Sequence, residues 1–200
     1  MARKPDPHAR ERIIEAATRL FDRHGVHAVG LQQIIDELGC GKNLLYREFA
    51  NKDELVVAYL QQCRQGWASI IERAERSRPD DPAAQLVAVV RLAAAEATAP
   101  GYRGCPVSNT HAEFAAQDHP ANDVATDHCE TMRGYLYDLA TRAGAADPRT
   151  LADRIKLIID GLNVNGAAQG GHGAAAVAVA FAEDVVRTAL RPLSDPAPTR

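Results

Sequence analysis

No stretch of this 200-residue chain is long and apolar enough to span a bilayer, and no apolar core behind a basic lead opens it, so a cytoplasmic, soluble protein with no membrane partner is expected. Cysteine is scarce: Cys40, Cys63, Cys105 and Cys129 are widely spaced and form no C-x-x-C pair. That spacing excludes a disulfide scaffold and the common zinc frameworks, and Cys40 and Cys129 read as small buried apolar residues. Strand signals are missing too, because alternating β-branched runs do not occur and no Asn-Gly pair joins two of them as a hairpin turn. Catalytic signatures are equally absent. There is no G-x-S-x-G elbow, and "GLNVNGAAQGGHG" lacks both a preceding strand and a following Gly-Lys-Ser/Thr, so it reads as a helix end and a turn. His111, Glu113, Asp118, His119 and the Asp127–Glu130 stretch form loose clusters without an i, i+4 histidine pair, so no metal site and no cofactor are expected. The expected class is therefore not an enzyme.

What is present is helical periodicity in an amount sufficient for a sizeable core, with 46% of residues hydrophobic. The first helix is expected to open at Asp6-Pro7 and to stop at Gly25, with Ile13, Ala17, Leu20 and Phe21 on its apolar face. A short helix over 31–38 buries Ile34, Ile35 and Leu38 and ends at Gly39. Another runs from Gly41 or Lys42 to Phe49. Asn51 caps a long helix to about Arg76, with Glu54 placed for a capping box. Asp81-Pro82 and Asp147-Pro148 announce helices over 82–98 and 148–168. Others are expected near 106–116, 120–143 and 174–191, the last after the Gly170–Gly173 turn.

The net charge of −3 is unevenly placed. Residues 1–56 hold nine basic and nine acidic groups, so the whole deficit lies beyond them. Arg3, Lys4, Arg10 and Arg12 make a basic N-terminal arm that either reaches phosphates or is simply solvated. Two short helices joined by a glycine turn form a helix-turn-helix, whose second helix suits a major groove. On that helix Lys42, Asn43, Tyr46 and Arg47 face outward, while Leu45 and Phe49 face inward. Lys52 falls at the start of the next helix, where a phosphate can meet both its ammonium and backbone N–H groups.

Through "IIEAATRLFDRHG", "IIDELGCGKNLLYREFANKDEL" and the spacing between them, residues 9 to about 58 resemble the TetR family of transcriptional regulators. The resemblance implies an all-α protein of about nine helices: a three-helix helix-turn-helix domain over 1–56, a ligand-binding and dimerisation domain over 57–192, and a flexible tail at 193–200. It implies that Tyr46 and Lys52 hold phosphates, that Lys42 is the basic residue opening the recognition helix, and that Asn43, Leu44 and Arg47 face bases or backbone. Gln32 and Gln33 would contribute from the preceding helix. Arg47 is the side chain best shaped for guanine O6 and N7. Two residues depart from the family pattern: Gly30 replaces a capping Ser or Thr, and Glu48 stands where His is frequent, placing a carboxylate beside phosphate.

The resemblance further implies a homodimer on a palindromic operator, and a repressor released by a small lipophilic effector. Leu151, Ile155, Ile158, Ile159 and Leu162 form a stripe assigned here to the dimer interface, with Val177, Phe181 and Val185 on the last helix. Trp67, Tyr102, Phe114, Met132, Tyr135 and Tyr137, with Asn109, His111, His128 and Asn163, are the candidate effector-pocket residues. A regulator controlled by a protein partner, without an inducer, is the alternative; a formed apolar cavity favours the former and a filled core the latter.

Overall fold

The computed structural model describes residues 7–39, 41–114 and 118–191. Among them are nine α-helices and no strands: α1 Ala9–His24, α2 Leu31–Leu38, α3 Lys42–Glu48, α4 Lys52–Ser77, α5 Pro82–Ala97, α6 Pro106–Phe114, α7 Pro120–Arg142, α8 Pro148–Gln169 and α9 Ala178–Ala189. None of the described helices is long and apolar enough to cross a membrane. The helices fall into two units. One comprises residues 1–66 and 105–128, the other 67–104 and 129–200, so α4 and α7 each run from one into the other.

Local chemistry explains most boundaries. Asp81 accepts the Ala84 N–H at 2.9 Å, and Asp147 accepts the Thr150 N–H at 3.0 Å, each ahead of a proline at the first helical position. The hydrogen bonds from Thr150 also hold the Asp147 carboxyl below its ordinary pKa. Gly39 closes α2 with φ 60°, a left-handed conformation that any side chain would strain. At the start of α4, Asn51 Oδ1 accepts the Glu54 N–H at 2.8 Å, but Glu54 returns its carboxylate to Ala50 N–H at 2.9 Å, one residue earlier than the simple capping box.

Several expectations need correction. Helix α1 begins at Ala9 rather than at Pro7, with His8 at the cap and no side-chain cap bond; Asp6 lies outside the described residues. The expected helix from 174 starts as a 3-10 turn, Gly173–Val177, because the Gly-rich approach lacks a capping side chain. Cys129 is exposed rather than buried, on the outward side of α7, and Cys40 lies outside the described residues.

The first unit packs α1, α2 and α3 around Ile13, Ala17, Phe21, Ile34, Leu45 and Phe49, with Leu55 and Tyr59 of α4 closing the core. Tyr59 donates its hydroxyl to Asp22 Oδ1 at 2.6 Å, and burial pushes its pKa far up. Leu45 and Phe49 are fully buried, worth about 2–3 kcal/mol each in removed apolar surface. In the second unit α5, α8 and α9 pack on one another. Helix α8 approaches α5 so closely that a Cβ at Gly166 would lie 2.4 Å from the Ala97 carbonyl oxygen, which requires glycine there.

The stripe assigned to a dimer interface is instead intramolecular core. Leu151, Ile155, Ile158, Ile159 and Leu162 are all buried within the second unit. Apolar period alone does not distinguish a helix face turned to its own core from one turned to a second copy. Tyrosines aside, the large apolar side chains left exposed among the described residues lie beside that stripe: Leu157 and Val164 on α8, Val177 in the 3-10 turn and Phe181 on α9.

Candidate nucleic-acid interface

Helix α3 presents its outer face because its inner face is fixed. With Leu45 and Phe49 at 0% exposure, Lys42, Asn43, Tyr46 and Arg47 are exposed and Leu44 is half-buried. Tyr46 is 44% exposed, and the Lys42 ammonium lies 5.5 Å from its ring centroid, one helical turn away. Lys42 and Tyr46 thus form one amphipathic ridge with a cation at its N-terminal end.

Arg47 is not free in the unbound protein. Its Nε and Nη2 lie 3.0 and 2.9 Å from Glu48 Oε1. The residue that departs from the family pattern is therefore the one holding the arginine fork, and reading a guanine requires Arg47 to leave or share that carboxylate. Arg10, expected in a basic arm, folds back instead: it donates to the Glu48 carbonyl at 2.8 Å and lies 4.2 Å over the Phe49 ring. A cation at the C-terminus of α3 is favoured there by the helix dipole. Arg3 and Lys4 lie outside the described residues.

The two glutamines of α2 are both exposed and both locally engaged. Gln33 Oε1 accepts the Gly30 N–H at 2.7 Å, which is one half of a capping box; the other half, a cap side chain accepting a helix N–H, is lost with glycine at position 30. The Gln33 amide protons remain available. Gln32 Nε2 donates to Asp36 Oδ1 at 2.8 Å. Lys52 is half-buried and donates to the Val26 carbonyl at 2.7 Å, leaving two of its three N–H bonds for another acceptor. Burial lowers its pKa, against the opposing pull of Glu113 and Asp53.

The role of one residue of this unit escaped the sequence reading. The Glu113 carboxylate, on α6, accepts the Val26 N–H at 3.0 Å and the His27 N–H at 2.6 Å, while its backbone carbonyl lies 3.0 Å from His27 Nε2. It closes the turn between α1 and α2, with Lys52 on the other side of Val26. Phe114 beside it is sandwiched between His27 at 4.4 Å and His119 at 3.8 Å. No sequence signal links positions 86 residues apart.

With that geometry in place, comparison with known proteins decides the family. Residues 13–59 match the family model for bacterial regulatory proteins of the tetR family. The HTH-type transcriptional activator FasR of Mycolicibacterium smegmatis is 29% identical over 163 residues, covering 80% of this chain and 69% of that protein. The HTH-type transcriptional regulator LmrA of Bacillus subtilis is 27% identical, covering 70% and 76% respectively. The solved TetR-family regulator SCO4454 of Streptomyces coelicolor superposes with a TM-score of 0.86 at 28% identity, over 92% of this chain and 97% of that one.

The chain belongs to the TetR family. It is a DNA-binding transcriptional regulator, and α2 and α3 are its helix-turn-helix.

The residues expected around an effector in this TetR-family chain are not all brought together. Trp67 and Met132 are buried in the second unit, and Tyr102 and Tyr135 pack half-buried against the same core. Tyr102 donates to Asn163 Oδ1 at 2.7 Å, and Tyr135 to Glu75 Oε1 at 3.3 Å; burial, first, and then Glu75 push the Tyr135 hydroxyl up to about 12. Phe114 and Asn109 belong to the first unit, with the Phe114 ring inside the histidine sandwich and Asn109 on the surface. His111 pairs with Asn122 at 2.9 Å and His128 is buried, both also in the first unit. Tyr137 is exposed, 5.9 Å from the Arg149 guanidinium.

Proposed function

We propose that this regulator acts as a homodimer on a palindromic operator in the cytoplasm, blocking transcription until a small lipophilic effector is bound. The observation that carries the DNA-reading part is the outer face of α3, where Lys42, Asn43, Leu44, Tyr46 and Arg47 stand on a buried Leu45–Phe49 base. In this reading Lys42, Tyr46 and Lys52 hold phosphates, and Arg47 and Asn43 address base edges. Gln32 and Gln33 contribute from α2 through their amide N–H groups. Residues 1–56 carry the DNA contacts; 57–192 carry dimerisation and effector binding. No step of it is catalytic.

Dimerisation is supported by the apolar face beside the core stripe. Helices α8 and α9 enclose a groove of about 580 Å³ lined by Leu157, Ile158, Leu162, Val177, Phe181 and Val185 among others. Exposed apolar side chains concentrated on two neighbouring helices mark an association surface, and a two-fold axis makes such a face complementary to itself. A dimer then sets two α3 helices one DNA turn apart, ~34 Å, or a multiple of it. Effector reception is assigned in this reading to Trp67, Tyr102, Met132, Tyr135 and Asn163 of the second unit, where Trp67 and Met132 are buried and Tyr102 donates to Asn163.

Sedimentation of the wild type and of Leu157→Asp/Phe181→Asp tests the arrangement. The expected result is a dimer for the wild type, a monomer for the double variant with unchanged helicity, and loss of its protection of two adjacent half-sites in a footprint. A variant that stays dimeric and protects both half-sites refutes the placement of the interface.

A further inference from the structure

The second unit has another pocket, of about 460 Å³, formed by the end of α4, one face of α5 from Ala84 to Leu92, and Glu183 of α9. Its floor is one face of α5: Ala84, Val87, Ala88 and Leu92, all half-buried and spaced at helical intervals. Its remaining lining is rich in cations, Arg73 and Arg78 from α4 and the turn after it, and Arg91 from α5. The volume falls within the range of small-molecule sites.

The three guanidiniums are under-neutralised. Arg91 Nη2 lies 3.1 Å from Glu183 Oε1, and Arg73 Nη1 3.9 Å from Glu96 Oε1. Arg78 donates to the neutral Ser77 carbonyl at 3.0 Å. Three cations thus face two carboxylates. Both ion pairs are exposed, so they bind weakly and yield readily to a better acceptor. Partial burial of Glu96 raises its pKa, against the opposing pull of Arg73. The turn that carries Arg78 is fixed in advance: buried Gln85 donates its amide to the carbonyls of Arg78 at 2.6 Å and Pro79 at 3.3 Å. A planar fork beside an apolar floor matches an anion with two or more oxygens attached to a hydrocarbon body.

We propose that this pocket binds a small amphipathic anion, a carboxylate or phosphate monoester on a short apolar chain or ring. The headgroup takes Arg78 and Arg91, displacing Glu183, and the apolar body lies along Ala84, Val87, Ala88 and Leu92. None of the residues assigned to DNA, to dimerisation or to the core effector site takes part, so the site stands independently of those roles.

Titration of the full chain with octanoate and with octyl phosphate, followed through the arginine Nε–Hε resonances, tests the proposal. Octan-1-ol and inorganic phosphate serve as body-only and head-only controls. Saturable shifts of Arg73, Arg78 and Arg91 with at least one amphiphile, absent with both controls, are expected, and the tighter amphiphile identifies the headgroup. Arg78→Gln/Arg91→Gln is expected to weaken that binding about tenfold or more, with the resonances of the rest of the chain unchanged. If neither amphiphile moves the three resonances up to about 5 mM, if either control moves them equally, or if the double variant binds within about twofold of the wild type, the proposal is wrong. Leu92→Glu adds a check on the floor: its binding is expected to fall while the three arginines remain, and undiminished binding also overturns the placement.

Discussion

Removing the Glu113 carboxylate should cost far more than a half-exposed side chain ordinarily does. The Val26 N–H, which Glu113 accepts at 3.0 Å, belongs to a residue only 1% exposed. Deleting the acceptor leaves that donor buried and unsatisfied, a loss of about 1–3 kcal/mol. The His27 N–H, bonded at 2.6 Å, is exposed and regains water, so only the net value of a hydrogen bond to a charged group is lost there, about 1.5 kcal/mol. Partial relaxation of the turn lowers the sum, and about 3 kcal/mol is expected for Glu113→Ala. Glu113→Gln should fall between, because one amide oxygen can accept one N–H while its NH₂ faces the other donor. Urea unfolding followed by the far-ultraviolet signal gives the overall change. Amide exchange at Val26 and His27 gives the local one, with protection expected to drop about a hundredfold, the exchange equivalent of roughly 3 kcal/mol at 1.4 kcal/mol per decade. A Glu113→Ala protein within about 0.5 kcal/mol of the wild type, with the two amides equally protected, would refute the reasoning.

Three other outcomes follow from the same geometry. Glu48→Gln releases Arg47 and removes a negative charge from the DNA face, so binding to random DNA should tighten and its dependence on log salt should steepen by about one unit per additional phosphate contact; fluorescence anisotropy across a salt series measures it, and an unchanged slope and affinity would contradict the role given to Glu48. Gly166→Ala forces a Cβ against the Ala97 carbonyl and should destabilise the second unit by about 1–3 kcal/mol, read as a lowered denaturation midpoint. Burial, with Asp22 nearby, pushes the Cys63 thiol up to about 12, so at pH 8 only about one in ten thousand is thiolate; alkylation timed by mass spectrometry should modify exposed Cys129 long before Cys63 in the folded protein.

The helix boundaries were legible where a single residue sets them. Gly39, Asn51, Asp81 and Asp147 each act through a backbone conformation or a side-chain bond within three residues, and the sequence displays such local chemistry directly. The outer face of α3 was legible for the same reason, since Leu45 and Phe49 fix which side is in. What the sequence concealed is what depends on distant partners. The α8 stripe reads identically whether its partner is α5 or a second copy, and only packing assigns it to the core. Phe114 carries no mark of the two histidines that enclose it, and Arg73, Arg78 and Arg91 are scattered charges until α4 and α5 lie side by side. The engagement of Lys52 with Val26 and of Arg47 with Glu48 likewise arises only in the folded chain.

Selection of bound fragments from sheared genomic DNA of the source organism at physiological salt, with Tyr46→Ala alongside the wild type, tests most directly that α3 reads DNA. Tyr46 is 44% exposed and belongs to neither hydrophobic core, so its replacement is expected to leave the fold intact. Enrichment of one inverted-repeat sequence by the wild type, lost in the variant, is the predicted result. Equal enrichment by the two proteins, or none above random DNA by the wild type, would contradict the assignment of sequence reading to this face.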